Sequence, residues 1–596
     1  VKTSETLSIQ LEISSTAMKD QVVTGIYQRK KESFTGSSAT FTAREIKMIG
    51  NQNVLQSLKT LDPSFAIIEN NEFGSDPNRL PDIEIRGKSS VIGLTEEYGT
   101  NPNQPLFILD GFETTLSVIS DLSMDRVESI TLLKDAAATA IYGSKAANGV
   151  VVVETRRPLP GRLRLSYNLN MSFNFADLSD YNLMNAAEKL EFEHKSGFFG
   201  SMDANGNIIT DAGDAKYQNR LKEVQRGVDT YWLNEPLRFA TSQRHAIFAE
   251  GGDANLRYSA SLNMGTNQGV MKGSSRDITS GNIRLIYRKG RLSVNNSLSI
   301  DLVNAHRETI PFSAFSRANP YFRKYNASGG IDKVLESYSY LNIASFSVDS
   351  TTNYNPLYDM NNNNVNESQS QGFTNNFEID WRLRSELRAR VRFGIARQAT
   401  RGTMFRSPFN SEFVDVEPLL RGIYNESNER QTNYDGDLSL TYGKLLHERH
   451  MVNAVAGLRL NQVSSLSSQY EVRGFVDDDF ANPAFAFGYP DGKSAVYKEA
   501  KRRSASFYLN TGYSYDDRFL ADATFRSDGA SVFGAAKQFT SIWSVGLGWN
   551  IHNEAMFRSL SYDWVNSLRI RGSIGNPGNQ NFSDYISTRV YRYNNE

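Results

Sequence analysis

Leu163-Arg164-Leu165-Ser166-Tyr167-Asn168-Leu169-Asn170-Met171-Ser172-Phe173-Asn174-Phe175 alternates apolar with polar side chains at every step. Successive side chains of an extended chain point to opposite faces, so this run predicts one strand with an apolar and a polar face. The pattern returns at Leu256, Tyr258, Ala260, Leu262 and Met264, with Arg257, Ser259, Ser261 and Asn263 between them. It returns at Leu387, Ala389, Val391, Phe393 and Ile395, interleaved with Arg388, Arg390 and Arg392, and at Trp543, Val545, Leu547 and Trp549. Such runs exceed the usual strand of about 5–6 residues. They match the ~9–11 residues with which a tilted strand crosses a bilayer. Tyr513, Tyr515 and Trp549 stand at run ends, where interfacial aromatic girdles belong. The alternatives are a soluble sandwich or propeller. The propeller lacks a fixed-period repeat, and a sandwich requires neither strands this long nor so many.

The connections point the same way. Gly251-Gly252-Asp253-Ala254 and Arg288-Lys289-Gly290-Arg291 are hairpin-tight, whereas residues 176–242, 303–371 and 464–502 form long connections. Short turns on one side and long loops on the other are the habit of outer-membrane barrels. Asn361-Asn362-Asn363-Asn364 reads as a flexible surface tip, and residues 183–194 as an amphipathic helix packing locally in a loop. About 13 strands are visible by this pattern. The chain closes on Tyr593-Asn594-Asn595-Glu596 without a terminal aromatic strand, so an incomplete barrel is expected. Val1 is not a natural start, so a processed or truncated N-terminus is expected as well.

Before about residue 158 the grammar differs. Ile46, Ile49, Val54, Leu55 and Leu58 share a helical stripe, predicting a helix over 43–60 with Pro63 beyond its end. Asp82-Ile83-Glu84-Ile85-Arg86-Gly87, Leu106-Phe107-Ile108-Leu109 closed by Asp110-Gly111, residues 127–133 and residues 150–155 read as strands. Residues 134–147 are Ala-rich and helix-prone. The expectation is a small α+β domain ahead of a transmembrane antiparallel β-barrel.

Composition bounds the chemistry. Lys+Arg number 65 and Asp+Glu 66 in 596 residues, for a net charge of -1, which removes the basic surface on which generic nucleic-acid binding rests. With no Cys there is no disulfide, thiol catalysis or Cys-based zinc site. No run approaches the roughly 18 apolar residues of a membrane helix, and mean hydropathy is -0.46. A barrel, which shows lipid only every second residue, is compatible with that average. No enzymatic constellation stands. His447-Glu448-Arg449-His450 misses the zincin spacing because Met451 follows and reads as a hairpin turn, and there is no P-loop and no Gly-x-Ser-x-Gly. Asp477, Asp478 and Asp479 offer oxygen ligands for a hard cation such as Ca2+, the commoner reading being a solvated acidic loop. Tyr321, Phe322, Tyr325, Phe487 and Tyr489, with Phe485, are aromatic loop residues that suit stacking on sugars or gripping peptide side chains, or else local loop cores. Arg388, Arg390 and Arg392 belong to a lumen face, where they bind anionic ligands or, the favoured reading, pair with plug carboxylates.

Leu132-Leu133-Lys134-Asp135-Ala136-Ala137-Ala138-Thr139-Ala140-Ile141-Tyr142-Gly143-Ser144-Lys145-Ala146-Ala147-Asn148-Gly149-Val150-Val151 resembles the plug signature of SusC-like (SusC/RagA) TonB-dependent transporters of the Bacteroidetes outer membrane. Pro105-Leu106-Phe107-Ile108-Leu109-Asp110-Gly111 is similar to that family's second plug motif. Residues 177–189, Ala318-Asn319-Pro320-Tyr321-Phe322-Arg323 and Gly575-Asn576-Pro577-Gly578-Asn579-Gln580 are family-like too. The resemblance implies a plug inside a 22-stranded barrel, here lacking its C-terminal strands. It implies the end of a carboxypeptidase-regulatory-like extension over 1–18, a TonB box region over 19–26, a plug over 27–158 and the barrel over 159–596. Within the box, Gln21, Val22, Val23, Thr24 and Gly25 would add as a strand to the TonB C-terminal domain, energised by ExbB/ExbD, for which they should be extended and accessible. Gln21 stands where an acidic residue is more usual. Leu133, Lys134, Asp135, Ala136, Tyr142, Gly143, Asn148 and Gly149 read as structural, small side chains permitting close approach. The implied protein is a Gram-negative outer-membrane importer of oligosaccharides or oligopeptides, not an enzyme, working with a SusD-like surface lipoprotein as lid. A non-transport barrel (an adhesin or secretion-assembly component) and the same fold carrying a metal chelate or vitamin are the competing readings.

Overall fold

The computed structural model describes residues 21–49, 54–68, 75–85, 87, 103–199, 215–342, 347–532, 538–559 and 567–576. The expected extension over 1–18 and the stretch 577–580 lie outside them. The N-terminal region begins with a hairpin, β1 (Gln21–Val23) and β2 (Gln28–Lys30). There follow β3 (Ser38–Thr42), helices α1 (Ala43–Met48) and α2 (Val54–Leu61), β4 (Phe65–Ile68) and β5 (Asp82–Ile85). The second half holds β6 (Leu106–Leu109), β7 (Phe112–Thr114), α3 (Leu116–Asp121), β8 (Val127–Leu133), α4 (Ala136–Thr139) and β9 (Val150–Thr155). Five strands form one sheet in the order β3-β8-β9-β6-β7, with β6 and β9 parallel. Asp110 and Gly111 join β6 to β7 with φ of 51° and 86°, the paired left-handed geometry of a tight hairpin turn.

Two helical expectations change in detail. The stripe expected over 43–60 forms two helices, α1 and α2; Glu45 Oε2 accepts from the Thr42 amide at 3.0 Å and fixes the start of the first. The Ala-rich segment over 134–147 gives only one turn, α4, before a 3-10 run from Ala140 to Ala146, because Gly143 adopts φ 76° in its middle.

The alternating region builds one antiparallel sheet of 13 strands joined in chain order. Its first five are β10 (Gly161–Asn174), β11 (Ala240–Gly252), β12 (Leu256–Gln268), β13 (Ser275–Lys289) and β14 (Leu292–His306). A loop hairpin of β15 (Val334–Asn342) and β16 (Ser347–Tyr354) intervenes. The wall resumes with β17 (Val365–Arg382), β18 (Leu387–Arg406), β19 (Ile423–Leu446), β20 (His450–Arg473), β21 (Val496–Tyr515), β22 (Phe519–Ala530), β23 (Phe539–Asn550) and β24 (Arg569–Asn576). Among the described residues β10 and β24 are the two edges, and the sheet is not closed.

Register places the outward residues in rows across the wall. Ile379, Val391, Leu438, Leu458 and Phe507 pair in succession and form one apolar row. Higher up, Arg397, Thr432, Ser464 and Lys501 pair in succession on the same face and mark the end of the apolar band. On β19 the outward apolar run lasts from Tyr434 to Tyr442, a bilayer's worth, although the strand has 24 residues. The upper parts of β17 to β21 therefore stand in water as hydrogen-bonded wall. For this reason the long connections shrink to 307–364 and 474–495, narrower than the sequence pattern indicated.

Candidate functional site

The plug sheet and its helices lie against the polar face of the wall, and the β1–β2 hairpin sits at the short-turn end. Asn550, at the lower end of β23, donates to the Glu32 carbonyl at 3.1 Å, and Asp522, just above the turn before β22, pairs with Arg29 at 2.5 Å. Gln21 to Val23 are extended, with Thr24 and Gly25 in the turn that follows, but the expectation that they are accessible is corrected. Val22, Val23 and Thr24 are buried. Val22, Ile26 and Tyr27 share a core with Ile108, Ile141, Tyr142 and Val152 of the plug and with Val455 and Tyr508 of the wall. The β-branched side chains that suit strand addition are equally suited to a core, and here the core holds them.

The hairpin's four-residue turn is closed by Thr24, whose amide donates to the Tyr27 carbonyl at 3.0 Å and whose Oγ1 accepts from the Tyr27 amide at 3.0 Å. Gly25 has φ 76°, and a Cβ there would meet the Tyr142 hydroxyl at 2.7 Å. The Tyr142 hydroxyl itself donates to the Thr24 carbonyl. From the wall, Arg392 Nη1 donates to the carbonyls of Gly25 at 2.9 Å and Gly111 at 3.0 Å, and Arg390 Nη1 to Ile26 at 3.2 Å. One buried arginine thus holds both the N-terminal hairpin and the Asp110-Gly111 turn. Burial pushes the Tyr27 phenol up to about 12, against the pull of Arg29, so it stays neutral.

The lumen arginines pair, but not with plug carboxylates as expected. Arg392 binds Asp437 at 2.9 Å, Arg390 lies 3.3 Å from Asp380, and Arg388 also pairs with Asp380. Their partners are wall carboxylates on neighbouring strands, and what they offer the plug is N–H donors for backbone carbonyls. Plug carboxylates are taken by other arginines: Asp110 by Arg284, and Asp121 by Arg276 at 2.6 Å. Burial raises the Asp110 carboxyl, yet Arg284 and the Thr155 hydrogen bonds outweigh it and hold it below the usual range. Arg29, Asp437, Arg526 and Asp528 were not singled out in the sequence. The signal was there: each wall residue of this set sits at the lumen parity of a strand whose alternate residues are apolar.

The plug signature is packing and bracing. Leu133 is buried, Lys134 pairs with Asp62 at 2.5 Å, and Asp135 caps the Ser37 and Ala138 amides at 2.7 and 2.9 Å. Ala136 begins α4. Gly143 lies against Arg526 and Asp528, leaving no room for a side chain. Asn148 donates to the Gln104 carbonyl at 3.4 Å, and Gly149, with φ 95°, fits beneath Ile85.

The aromatic candidates separate. Tyr321 and Phe322 are buried in a loop core with Trp232, Phe315 and Leu357, and also border a cavity beside it. Thr230 reaches the Phe322 carbonyl and Trp232 the Asn319 carbonyl, which seats that segment on the first long loop. Tyr325, Phe487 and Tyr489 are exposed, and Tyr325 lines a cavity of about 380 Å³ with Arg220 and Asn326. Asp477, Asp478 and Asp479 lie with carboxylate oxygens within 4.8 Å of one another. Asn363 donates to Asp478 and Asp479, and Ser407 to Asp478 at 2.8 Å. Asn362 and Asn364 bond Asn410, so the asparagine run is a tie between three loops rather than a free tip. His447 to His450 do form a hairpin turn, with positive φ at His447 and Glu448.

Residues 30–150 match the model of the TonB-dependent receptor plug domain. SusC of Bacteroides thetaiotaomicron is 24% identical over 99% of this chain and 56% of its own length. TonB-dependent receptor P39 of Formosa agariphila is 23% identical over 99% of this chain and 52% of its own. The chain spans about half the length of the curated relatives it matches. Among solved structures, the RagAB peptide importer in its open-open state superposes with TM-score 0.76 at 22% identity, over 95% of this chain and 62% of that one. The ferric citrate transporter FecA superposes at 0.53 with 9% identity, over 87% of this chain and 61% of that one. The barrel wall read from the alternation holds, as do the plug and the outer-membrane setting that the resemblance implied.

Proposed function

We propose that this chain, a SusC-like plug and barrel of the Bacteroidetes outer membrane, works in TonB-dependent import of oligosaccharides or oligopeptides. A SusD-like surface lipoprotein would close over the outer loops, and the TonB C-terminal domain, energised by ExbB/ExbD, would take the segment Gln21 to Gly25. The RagAB neighbour is a peptide importer, which favours a cargo too large for simple pores. One observation carries the reading. The box hairpin is tied at once to the plug, through Tyr142, and to the wall, through Arg392 and Asp522. A pull on it from the short-turn side loads the contact between Gly25, Gly111 and Arg392, and so the plug sheet itself.

The buried box adds a requirement. TonB pairs with an extended strand edge, and residues 22–24 must leave their core before that edge is free. Chromosomal deletion of Gln21 to Gly25 is expected to abolish uptake while leaving cargo binding at the cell surface. Unchanged uptake would overturn the TonB-driven reading. Native mass spectrometry of material co-purified with the lid lipoprotein would identify the cargo.

A further inference from the structure

Between the plug and the wall formed by β13 to β19 lies a cavity of about 310 Å³, bounded on the plug side by Phe112, Thr115 and Arg126. Its position follows from where the plug is fastened. Ion pairs and hydrogen bonds fix the plug to β13 through Arg276 and Arg284, to β18 through Arg392, and to β22 through Asp522 and Arg526. Among the described residues no side chain of β14 or β17 bonds to the plug, whose Asn78 reaches only the His306 carbonyl at the end of β14, at 2.7 Å. These two strands instead line the gap with hydroxyls, Ser297 and Ser299 from one and Ser368, Ser370 and Thr374 from the other.

The charges around the gap do not cancel pairwise. Asp110, Asp121 and Asp435 each have an arginine, namely Arg284, Arg276 and Arg459. Arg126 has neither an ion pair nor a side-chain hydrogen bond among the described residues. Asp301 of β14 is near enough to act on its charge but too far to pair. Burial pulls the Arg126 guanidinium down from its ordinary value, with Asp301 pushing back. The Arg126 side chain is half-buried at the edge of the gap, so its N–H donors are left to whatever enters it. A guanidinium is also the side chain whose planar fork fits a carboxylate with two parallel hydrogen bonds.

We propose that this gap is a way-station for cargo inside the barrel, with Arg126 binding a carboxylate and the Ser/Thr face of β14 and β17 holding neighbouring hydroxyl or amide groups. The carboxylate belongs to an acidic sugar or to a peptide. The inference rests on the importer reading but is tested by binding alone, which needs no TonB, so either can fail without the other.

The complete transporter in nanodiscs would be titrated with trigalacturonate, triglutamate and neutral maltotriose. Arg126→Gln is expected to weaken at least one acidic probe about 10-fold or more, with Arg126→Lys recovering part of the loss and maltotriose unaffected. Which acidic probe responds tells sugar from peptide. These 596 residues hold no cysteine, so in a complete transporter cleared of any cysteine elsewhere, Ser370→Cys supplies one thiol facing the gap. Its reaction with a charged thiosulfonate should slow when the responding probe is present. If neither acidic probe binds, if Arg126→Gln changes nothing, or if the thiol is not protected, the way-station is refuted.

Discussion

The phenol of Tyr142 lies inside the plug and donates to the Thr24 carbonyl, beside a glycine that no larger residue can replace without displacing it. Tyr142→Phe keeps the ring's packing and removes only the donor, leaving a buried carbonyl unsatisfied at a cost of about 1–3 kcal/mol. The hairpin should then open about 10-fold more often, since each ~1.4 kcal/mol is tenfold in an equilibrium. Hydrogen–deuterium exchange of residues 22–24 reads this directly. Exchange at the parental rate in a folded plug would mean that the wall arginines hold the hairpin alone. Tyr142 was legible in the sequence as part of a plug signature, and Arg392 as a lumen residue. Their meeting at Thr24 and Gly25 was not, because it joins positions far apart in the chain that only the assembled plug and wall bring together. The same distance explains the mistaken partner of Arg392. Lumen parity shows that a charge faces inward, but not whether its counter-ion comes from the next strand or from the plug.

At the scale of elements, the outer loops form a packed layer. Helices α5 (Ala186–Lys195) and α6 (Ala215–Gln225) meet the β15–β16 hairpin around Arg220, which binds Glu336 with two hydrogen bonds at 2.6 and 2.9 Å and Glu193 at 2.8 Å. Its guanidinium also sits 4.7 Å from the Tyr321 ring centre, and the Tyr321 hydroxyl returns to Glu193 at 3.0 Å. Arg220→Met fills similar space but strands two carboxylates in a closed site, at a cost of about 3–5 kcal/mol to this layer. Limited proteolysis should cut the loops around residues 186–225 in the variant, while the barrel keeps its heat-resistant migration on a gel. A loop layer as resistant as the parent's would show that its apolar core suffices. The helix of this layer was legible from 183–194 because its stripe is local. The burial of Tyr321 and Phe322 was not, since an aromatic in a loop has the same sequence whether it faces a ligand or another loop. The strands beyond the membrane were missed for a related reason. Water on both faces erases the two-residue period, and the hydrogen-bonded ladder that continues there leaves no mark in composition.

For the whole molecule, the near-zero net charge is an average over two faces and two depths. Inside the bilayer the outward face of β19 is Tyr434, Leu438, Leu440 and Tyr442; above it the same face carries Glu426, Asn428 and Arg430. The change of character, rather than the strand's end, is where the membrane stops. At about 3.3 Å per residue, Leu438 and Asn428 lie roughly 33 Å apart along the strand, more than the half-thickness of a bilayer even at a 45° tilt. Leu438→Arg should therefore cost about 2–4 kcal/mol if the site is near the midplane, and Asn428→Arg close to nothing. The complete transporter, folded into lipid vesicles across a denaturant series, gives both values from the same measurement. If the two substitutions cost the same, the apolar row of Ile379, Val391, Leu438, Leu458 and Phe507 does not face lipid. The wall would then need another apolar partner, and the polar upper wall would lose its meaning as the part that stands outside the cell. A large difference fixes the depth of every other residue through the register. It sets the Arg126 gap and the Tyr142 latch on a common axis, between the long-loop end of the wall and its short-turn end.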